Sequence, residues 1–284
     1  MSRIAYVNGR YVPHRQANVH IEDRGYQFSD GIYEVIAVEG GRLADEDWHW
    51  DRWDRSLAEL RIAPPMARAP LKAIAREVLR RNGVVDGIVY MQATRGVAPR
   101  DHAFPKRAKT ALVMTARRKK PAADVLAQRG AKVVTIPDIR WSRCDIKAVA
   151  LLPNVLGKQA AVEKGAFEAW QVDGAGQVTE GTSTNAWIVT ASGELVTRRP
   201  SNDILNGVTR LAVMDIARDH QLRVVERSFS VAEAKAAKEA FLTSTTSAVM
   251  PVVEIDGVPV GDGKPGSVAN ALRARYVERV AGAA

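Results

Sequence analysis

Cysteine is nearly absent from the sequence: Cys144 is the one thiol among 284 residues. A single cysteine cannot form a disulfide within the chain, which favours a reducing compartment, so we expect a cytoplasmic protein. Long apolar runs are also missing, since none approaches the ~18 residues that span a bilayer. The first residues, MSRIAYVNGRYVP, lack the apolar stretch and cleavage site of a signal peptide. The sequence therefore predicts no membrane association.

Metal sites and several enzyme classes are excluded by motifs that the sequence does not contain. The histidines show no metal-ligand spacing with one another or with the cysteine; they are His14, His20, His49, His102 and His220. There is no G-x-S-x-G motif, no P-loop and no strand-linked G-x-G-x-x-G motif. We therefore predict no metal centre and none of the enzyme classes that these motifs mark.

Positive charge is in excess: 41 lysine and arginine residues against 32 acidic residues give a net charge of +9. Nucleic-acid binding is one interpretation of such a balance. However, the basic residues are spread along the chain, and the one dense cluster, ARRKKP at 116–121, contains no aromatic residue. We therefore predict no nucleic-acid partner and expect a basic surface that favours anionic small substrates.

Turn signals and mixed periodicities predict an α+β fold. Asn8-Gly9, Gly40-Gly41 and Asp256-Gly257 each separate two β-prone runs, as in hairpins, which argues against a purely βαβ fold. Helices are predicted at 45–62, 69–83, 153–164, 207–220 and 268–282, and strands at 87–96, 110–116, 131–137, 167–172 and 182–190. The polar connection at 117–130 indicates a boundary. We predict a small N-terminal domain (1–120), a linker (121–130) and a large C-terminal domain (131–284).

Lys147 is the first candidate for chemistry. It precedes the apolar run AVALLPNVLG and follows Cys144 by three residues. A desolvated lysine becomes a nucleophile that can form a Schiff base, whereas a solvated lysine stays protonated. Position alone leaves both a catalytic lysine and a snorkelling surface lysine open. Cys144 has no local base, so we expect it to be a small packing residue.

Three further segments carry groups that suit a phosphate-bearing pyridine cofactor. Glu180, in QVTEGTSTN, follows a strand and can accept a hydrogen bond from a protonated ring nitrogen. Gly207-Val208-Thr209 opens a helix, whose first N–H groups and dipole attract an anion. The hydroxyl run at 244–246 can add phosphate contacts. Taken singly, a turn glutamate, a capped helix start and a loop that satisfies its own backbone remain open.

Arg100 and His102 lie in TRGVAPRDHAFP, a loop punctuated by glycine and proline. A guanidinium can hold a carboxylate with two hydrogen bonds, and a histidine two residues further on can assist it. The pair therefore suits an anionic substrate, although an ordinary surface loop has the same composition.

In their order along the chain, these motifs resemble the fold-type IV aminotransferases, which depend on pyridoxal 5'-phosphate (PLP). That superfamily includes D-amino acid aminotransferases, branched-chain aminotransferases, (R)-selective amine transaminases and aminodeoxychorismate lyases. The resemblance extends from EDRGYQFSDGIYEVI to FLTSTTSAVMPVVEIDG, nearly the whole chain, and is closest to D-amino acid aminotransferases. It implies a two-domain α+β fold with the active site between the domains, a PLP cofactor and a homodimer.

The resemblance also implies a role for each matching residue. Lys147 would bind PLP as a Schiff base and move the substrate proton, and Glu180 would pair with the pyridine nitrogen. The other cofactor contacts would be Arg52, Val208, Thr209, Ser244 and Thr245 at the phosphate and Leu205 on the ring face. The substrate contacts would be Tyr33, Val35, Tyr90, Thr246, Arg100 and His102. The last two would grip the α-carboxylate and reach in from the partner subunit.

The predicted reaction is transamination between a D-amino acid, such as D-alanine or D-glutamate, and a 2-oxo acid, such as pyruvate or 2-oxoglutarate. Arg100 and His102 favour it, because their expected task is to hold a carboxylate. The alternatives within the fold are an (R)-selective amine transaminase, a branched-chain L-amino acid aminotransferase and, less favoured, an aminodeoxychorismate lyase. The alternative from another class is a basic nucleic-acid-binding protein without catalysis.

Overall fold

The computed structural model describes residues 3–118 and 122–282. The chain divides into two compact units, of which the first comprises 1–120 and 146–150 and the second 121–145 and 151–284. The predicted domain boundary at 120–121 lies outside the described residues, as do Lys119 and Lys120 of the basic cluster. Within the described ranges, no helix has both the length and the apolar composition that a membrane span requires.

A six-stranded antiparallel sheet, in the order β2-β1-β6-β5-β3-β4, forms the centre of the first unit. Its strands are β1 (Ile4–Val7), β2 (Arg10–Pro13), β3 (Gly31–Glu39), β4 (Arg42–Leu43), β5 (Gly87–Thr94) and β6 (Ala111–Arg118). Asn8-Gly9 and Gly40-Gly41 turn two hairpins with positive φ at all four residues. The sequence-based prediction of both hairpins is confirmed.

The helices of this unit are α1 (Arg24–Phe28), α2 (Glu46–Glu59) and α3 (Arg68–Asn82). The predicted helical stripe of α2 is confirmed, since Trp50, Trp53 and Leu57 are buried and join the core. Gly83 ends α3 in the left-handed conformation, as its position after Asn82 predicts. Successive residues of β3 alternate between this core and the opposite, half-buried face of the sheet, which therefore carries Tyr33 and Val35.

The second unit contains a nine-stranded mixed sheet in which β14 also pairs with a short strand, β15. The remaining strands lie in the order β12-β11-β10-β13-β14-β7-β8-β9. These are β7 (Ala131–Pro137), β8 (Glu168–Val172), β9 (Val178–Gly181), β10 (Asn185–Val189), β11 (Leu195–Thr197), β12 (Val224–Glu226), β13 (Glu239–Ser244), β14 (Ala248–Ile255) and β15 (Val258–Pro259). The β14–β15 hairpin turns at Asp256-Gly257, as predicted.

The helices of the second unit are α4 (Ala122–Arg129), α5 (Leu152–Glu163), α6 (Val208–Asp219), α7 (Val231–Lys235) and α8 (Ser267–Ala281). The predictions for α5, α6 and α8 are confirmed. Residues 122–129, which the sequence analysis assigned to a linker, form α4 directly before β7. The sequence analysis did not find β9, β11, β12, α1 or α7, because segments of three to five residues are too short to show a period. The mixture of helices with mainly antiparallel strands confirms the α+β prediction.

Candidate active site

The backbone of Lys147 is fixed to the start of β3, in the sheet of the first unit. Residues 146–150 lie along this strand, where Ala148 forms a bridge with Ile32. The N–H of Tyr33 donates to the carbonyl of Lys147 at 3.0 Å, and the N–H of Val149 donates to Gly31 at 3.0 Å. The sequence therefore places Lys147 at the sheet by strand pairing rather than on a helix.

The ammonium group of Lys147 has an aromatic neighbour. Its Nζ lies 4.3 Å from the centre of the Tyr33 ring, and the residue is half-buried. Among the described residues, no carboxylate forms an ion pair with this nitrogen. A surface lysine in a salt bridge is thus excluded, and the amine is left available for chemistry.

Arg52, on α2, is held by a carboxylate that sequence analysis missed. Its Nε and a terminal nitrogen donate to the two oxygens of Glu34 at 2.6 and 2.9 Å. Glu34 is fully buried on the core face of β3, and His49 Nδ1 lies 2.8 Å from it. Burial raises the pKa of Glu34, but the charge of Arg52 and the His49 hydrogen bond outweigh this and hold the pKa far below its usual range. An ionised carboxylate cannot donate, so His49 Nδ1 carries the proton.

The predicted substrate residues of β3 and β5 share one face of the sheet. Val35 pairs with Tyr90 across the strands, and the rings of Tyr33 and Tyr90 stack with centroids 5.8 Å apart. The Tyr90 hydroxyl donates to Gln92 at 2.8 Å, and burial raises the pKa of Tyr90 to about 12. Tyr90 is therefore a neutral hydrogen-bonding group at any physiological pH.

The loop of Arg100 and His102 is attached to α1. Phe28 lies under both residues, with its ring centre 4.7 Å from the Arg100 guanidinium and 5.4 Å from the His102 ring. Arg24 is buried and donates to the backbone carbonyls of Asp101 and His102 while pairing with Asp30. The loop is exposed but anchored, so its two candidate residues have a defined position.

In the second unit, Glu180 lies on β9 and is surrounded by hydrogen-bond donors. Arg140 donates to one carboxylate oxygen, and Asn185 Nδ2 donates to the other at 3.0 Å. The backbone N–H of Leu205 lies 3.1 Å from the carboxylate as well. Leu205, which was predicted to pack on a cofactor ring, is thereby tied to Glu180. The reading of Glu180 as an ordinary turn glutamate is wrong, because the residue is buried in a strand.

The start of α6 is open to a ligand anion. Gly207 is its N-cap residue, and no side chain caps the helix. A Cβ at Gly207 would overlap Oδ1 of Asn185, so this position accepts only glycine without a shift of that side chain. Val208 and Thr209 follow as the first helical residues, and both are buried. Their N–H groups and the helix dipole make a phosphate site beside the Asn185–Glu180 pair.

The hydroxyl run follows β13. Thr243 pairs with Asn185 across the strands, so the next residues emerge on the same edge of the sheet as Glu180. Ser244 Oγ accepts a hydrogen bond from the N–H of Ser247 at 3.1 Å and lies 3.4 Å from the Thr246 hydroxyl. The turn thus satisfies part of its own backbone, while Thr245 remains half-buried and Thr246 exposed. Phosphate contacts of these hydroxyls remain a prediction.

Comparison with known proteins decides the family. The model of the family "Amino-transferase class IV" matches residues 31–255. The chain belongs to the class IV aminotransferases. It is 40% identical over 278 residues to a D-alanine aminotransferase of Staphylococcus haemolyticus, covering 96% of this chain and 97% of that protein. A D-alanine aminotransferase of Staphylococcus epidermidis is 40% identical over 268 residues and is covered to 94%, as is this chain.

Solved structures agree with this assignment to the class IV aminotransferases. A branched-chain amino acid aminotransferase from T.th., crystallised with pyridoxamine 5'-phosphate, superposes with a TM-score of 0.91 at 27% identity. The superposition covers 99% of this chain and 95% of that one. The predicted family and its fold are therefore confirmed.

The residues of this class IV aminotransferase fit a phosphate-bearing pyridine aldehyde. Lys147 offers an amine without an acidic partner, Glu180 offers a carboxylate surrounded by donors, and the N-terminus of α6 is uncapped. Sequence analysis missed the residues that orient these groups: Arg24, Phe28, Glu34, His49, Arg140 and Asn185. Glu34 had a detectable signal, because it is a charged residue at a core position of an alternating strand.

Proposed function

We propose that this protein catalyses PLP-dependent transfer of an amino group between a D-amino acid and a 2-oxo acid. The observation that carries the proposal is 40% identity, over nearly the full length of both chains, to proteins named D-alanine aminotransferase. D-Alanine or D-glutamate would be the donor, and pyruvate or 2-oxoglutarate the acceptor. The buried Glu180 and the amine of Lys147 support the cofactor assignment.

The cofactor, when bound, supplies an electron sink that its protonated ring provides. Lys147 holds the cofactor through its Nζ and moves the proton of the substrate Cα, and Glu180 accepts a hydrogen bond from the ring nitrogen. Leu205 packs on the ring. The phosphate would be held by Arg52, the N–H groups of Val208 and Thr209, and the hydroxyls of Thr209, Ser244 and Thr245.

The substrate roles rest on the two sequence segments that the first unit orders. Arg100 and His102 would bind the α-carboxylate, since a guanidinium and an imidazole in an anchored loop can meet both of its oxygens. Tyr33, Val35 and Tyr90 would line the substrate site from the sheet face that they share, and Thr246 would contact it from the β13–β14 turn.

A homodimer forms part of the proposal, with Arg100 and His102 contributed across the interface. Exposed apolar side chains support it: Leu152, Val155, Leu156 and Val162 form an apolar stripe along α5, and Leu152 is 69% exposed. Ile21 and Tyr26, beside the anchored loop, are 76% and 75% exposed. The single cysteine supports a cytoplasmic location.

An absorbance spectrum of the purified protein, before and after addition of D-alanine, tests the function. We expect a visible band of bound cofactor that converts to the shorter-wavelength band of pyridoxamine phosphate. A band that responds to L-leucine or to an (R)-amine but not to D-alanine would overturn the substrate assignment. No band after incubation with PLP would overturn the cofactor assignment.

A matched pair of variants tests the role of Lys147. Lys147→Ala should abolish the covalent cofactor band and the half-reaction with D-alanine. Lys164→Ala, at the exposed end of α5, should leave both unchanged. Retention of a borohydride-reducible linkage in Lys147→Ala would contradict the assignment of this lysine.

A further inference from the structure

Arg140 is a buried arginine of the second unit to which the proposed function gives no role. It follows β7, and only 5% of its side chain is exposed. Its Nε and a terminal nitrogen donate to Asp138 at 2.9 and 2.7 Å. The other terminal nitrogen donates to Oε1 of Glu180. One guanidinium thus joins two carboxylates.

The surroundings of Arg140 fix it from several sides. Thr179, the residue before Glu180 on β9, donates its hydroxyl to Asp138 at 2.7 Å. The backbone carbonyl of Asp203 accepts from Arg140 at 2.9 Å. Burial disfavours the charged guanidinium, but Asp138 and Glu180 outweigh it and raise the pKa of Arg140. The hydrogen bond from Arg140 likewise holds the pKa of Asp138 below its usual range against the effect of burial.

The charges of this cluster do not cancel. Asp138 and Glu180 contribute two negative charges and Arg140 one positive charge, so one negative charge remains. Three donors contact the Glu180 carboxylate: the guanidinium, the Asn185 amide and the Leu205 N–H. Donors favour the ionised form of a carboxylate. The excess negative charge is therefore located at Glu180, the group that would face a ring nitrogen.

We propose that Arg140 is a positioning residue that acts through Glu180 to keep the ring nitrogen of the bound cofactor protonated. The inference rests on the proposed PLP chemistry and adds the residue that sets the location of one proton. With Arg140 present, the shared proton stays on the ring nitrogen, because Glu180 is stabilised as an anion. Without it, Glu180 and Asp138 face each other without a cation, and the proton moves to Glu180. A neutral ring is a weaker electron sink.

A purely structural role for Arg140 makes a different prediction. In that case the arginine would only tie the segment after β7 to β9. Its removal would lower the stability of the fold or the affinity for PLP, but the ring nitrogen of any PLP that binds would keep its proton. The two roles are therefore separated by the protonation state of the ring and not by activity alone.

The experiment uses the full-length protein loaded with PLP that carries ¹⁵N in the ring, observed by nitrogen NMR. The wild type should give the signal of a protonated ring nitrogen, and Arg140→Met should give that of a neutral one. The half-reaction of Arg140→Met with D-alanine should be at least ~100-fold slower, the loss typical of one preorganised charged donor. A protonated ring in Arg140→Met would overturn the inference.

Arg143→Met is the matched control. Arg143 lies three residues further along the same segment and pairs with Asp145 at 2.9 and 3.0 Å, as Arg140 pairs with Asp138. Its side chain is 34% exposed. The control should keep the protonated ring and a half-reaction within about two-fold of the wild type. A neutral ring in Arg143→Met would overturn the assignment to Arg140.

Arg140→Lys keeps the test decisive if Arg140→Met does not fold. Lysine retains the charge but cannot hold both carboxylates with fixed geometry. We expect weaker PLP binding with a ring that is still protonated, and a neutral ring would overturn the inference. Wild-type protein that binds no PLP would refute the proposed function instead, so the two failures are distinguishable.

Discussion

Glu34 and Arg52 form a bidentate ion pair, with two arginine nitrogens 2.6 and 2.9 Å from the oxygens of a carboxylate that is fully buried. The proposed phosphate ligand is therefore oriented before any phosphate binds. A buried carboxylate that loses its charge leaves the arginine without its counterion, which costs about 3–5 kcal/mol. The pair links the stability of the first unit to its proposed role in cofactor binding.

Glu34→Gln should lower the free energy of unfolding by about 3 kcal/mol at pH 7 and should weaken PLP binding. Because the pKa of Glu34 is depressed in the folded protein, its contribution is complete above the ordinary glutamate pKa of about 4.3. The contribution is lost as the pH falls below that value. Urea unfolding between pH 7 and pH 3 should show a constant gap between the two proteins that narrows below about pH 4.

Glu77→Gln is the control for this measurement. Glu77 also pairs with two arginines, Arg80 and Arg81, and their hydrogen bonds lower its pKa to about 2, but the group lies on the surface. Solvent screens such pairs, so we expect little change in stability. Equal losses in Glu34→Gln and Glu77→Gln would show that burial of the Glu34–Arg52 pair has no special weight.

Arg100→Ala should raise the KM for D-alanine by at least ~10-fold, because a hydrogen bond between charged groups is worth about 1.5–3 kcal/mol. The half-reaction with a donor that lacks a carboxylate should change far less. Steady-state kinetics with D-alanine, and absorbance changes with an (R)-amine at high concentration, measure the two effects. Arg107→Ala, an exposed arginine of the same loop region, is the control. Equal losses with both donors would remove Arg100 from carboxylate binding.

Sequence analysis predicted the family and the larger elements of the fold because their signals are ordered along the chain. Lys147, Glu180 and the start of α6 each had an ordinary alternative when taken singly, and their order decided the interpretation. The supporting residues were missed for a physical reason. Arg140 and Glu180 are 40 residues apart, and no local pattern shows which of the many arginines reaches a given carboxylate.

The same limit applies to Arg24. It lies 77 residues before Asp101, whose carbonyl it contacts, and a backbone carbonyl has no signature in the sequence. Glu34 differs, because a charge at a core position of an alternating strand requires a partner. Here the pattern indicates that a partner exists, and only the fold shows that the partners are Arg52 and His49.

Cys144 should react slowly with alkylating reagents. Burial raises the pKa of its thiol to about 11, although Arg140 opposes the shift. The thiolate is the reactive form, so alkylation at pH 8 should be about 100-fold slower than for a free cysteine of pKa near 8.5. Mass spectrometry of iodoacetamide-treated native protein should show a rate that rises steadily up to pH 11. A rate that levels off near pH 8.5 would show that the thiol is exposed in solution.

Gly96→Ala should destabilise the segment that leads from β5 into the Arg100 loop. Gly96 has a φ of +95°, and a Cβ there would overlap the carbonyl oxygen of Lys109. Its own carbonyl accepts from the N–H of Arg24 at 2.9 Å, so the glycine also holds the helix that anchors the loop. We expect a loss of about 1–3 kcal/mol in the free energy of unfolding, together with a raised KM for D-alanine. Gly174→Ala is the matched control, because a Cβ at that position meets open space and its φ is not positive. An unchanged KM in a destabilised Gly96→Ala protein would show that the loop keeps its position without this turn.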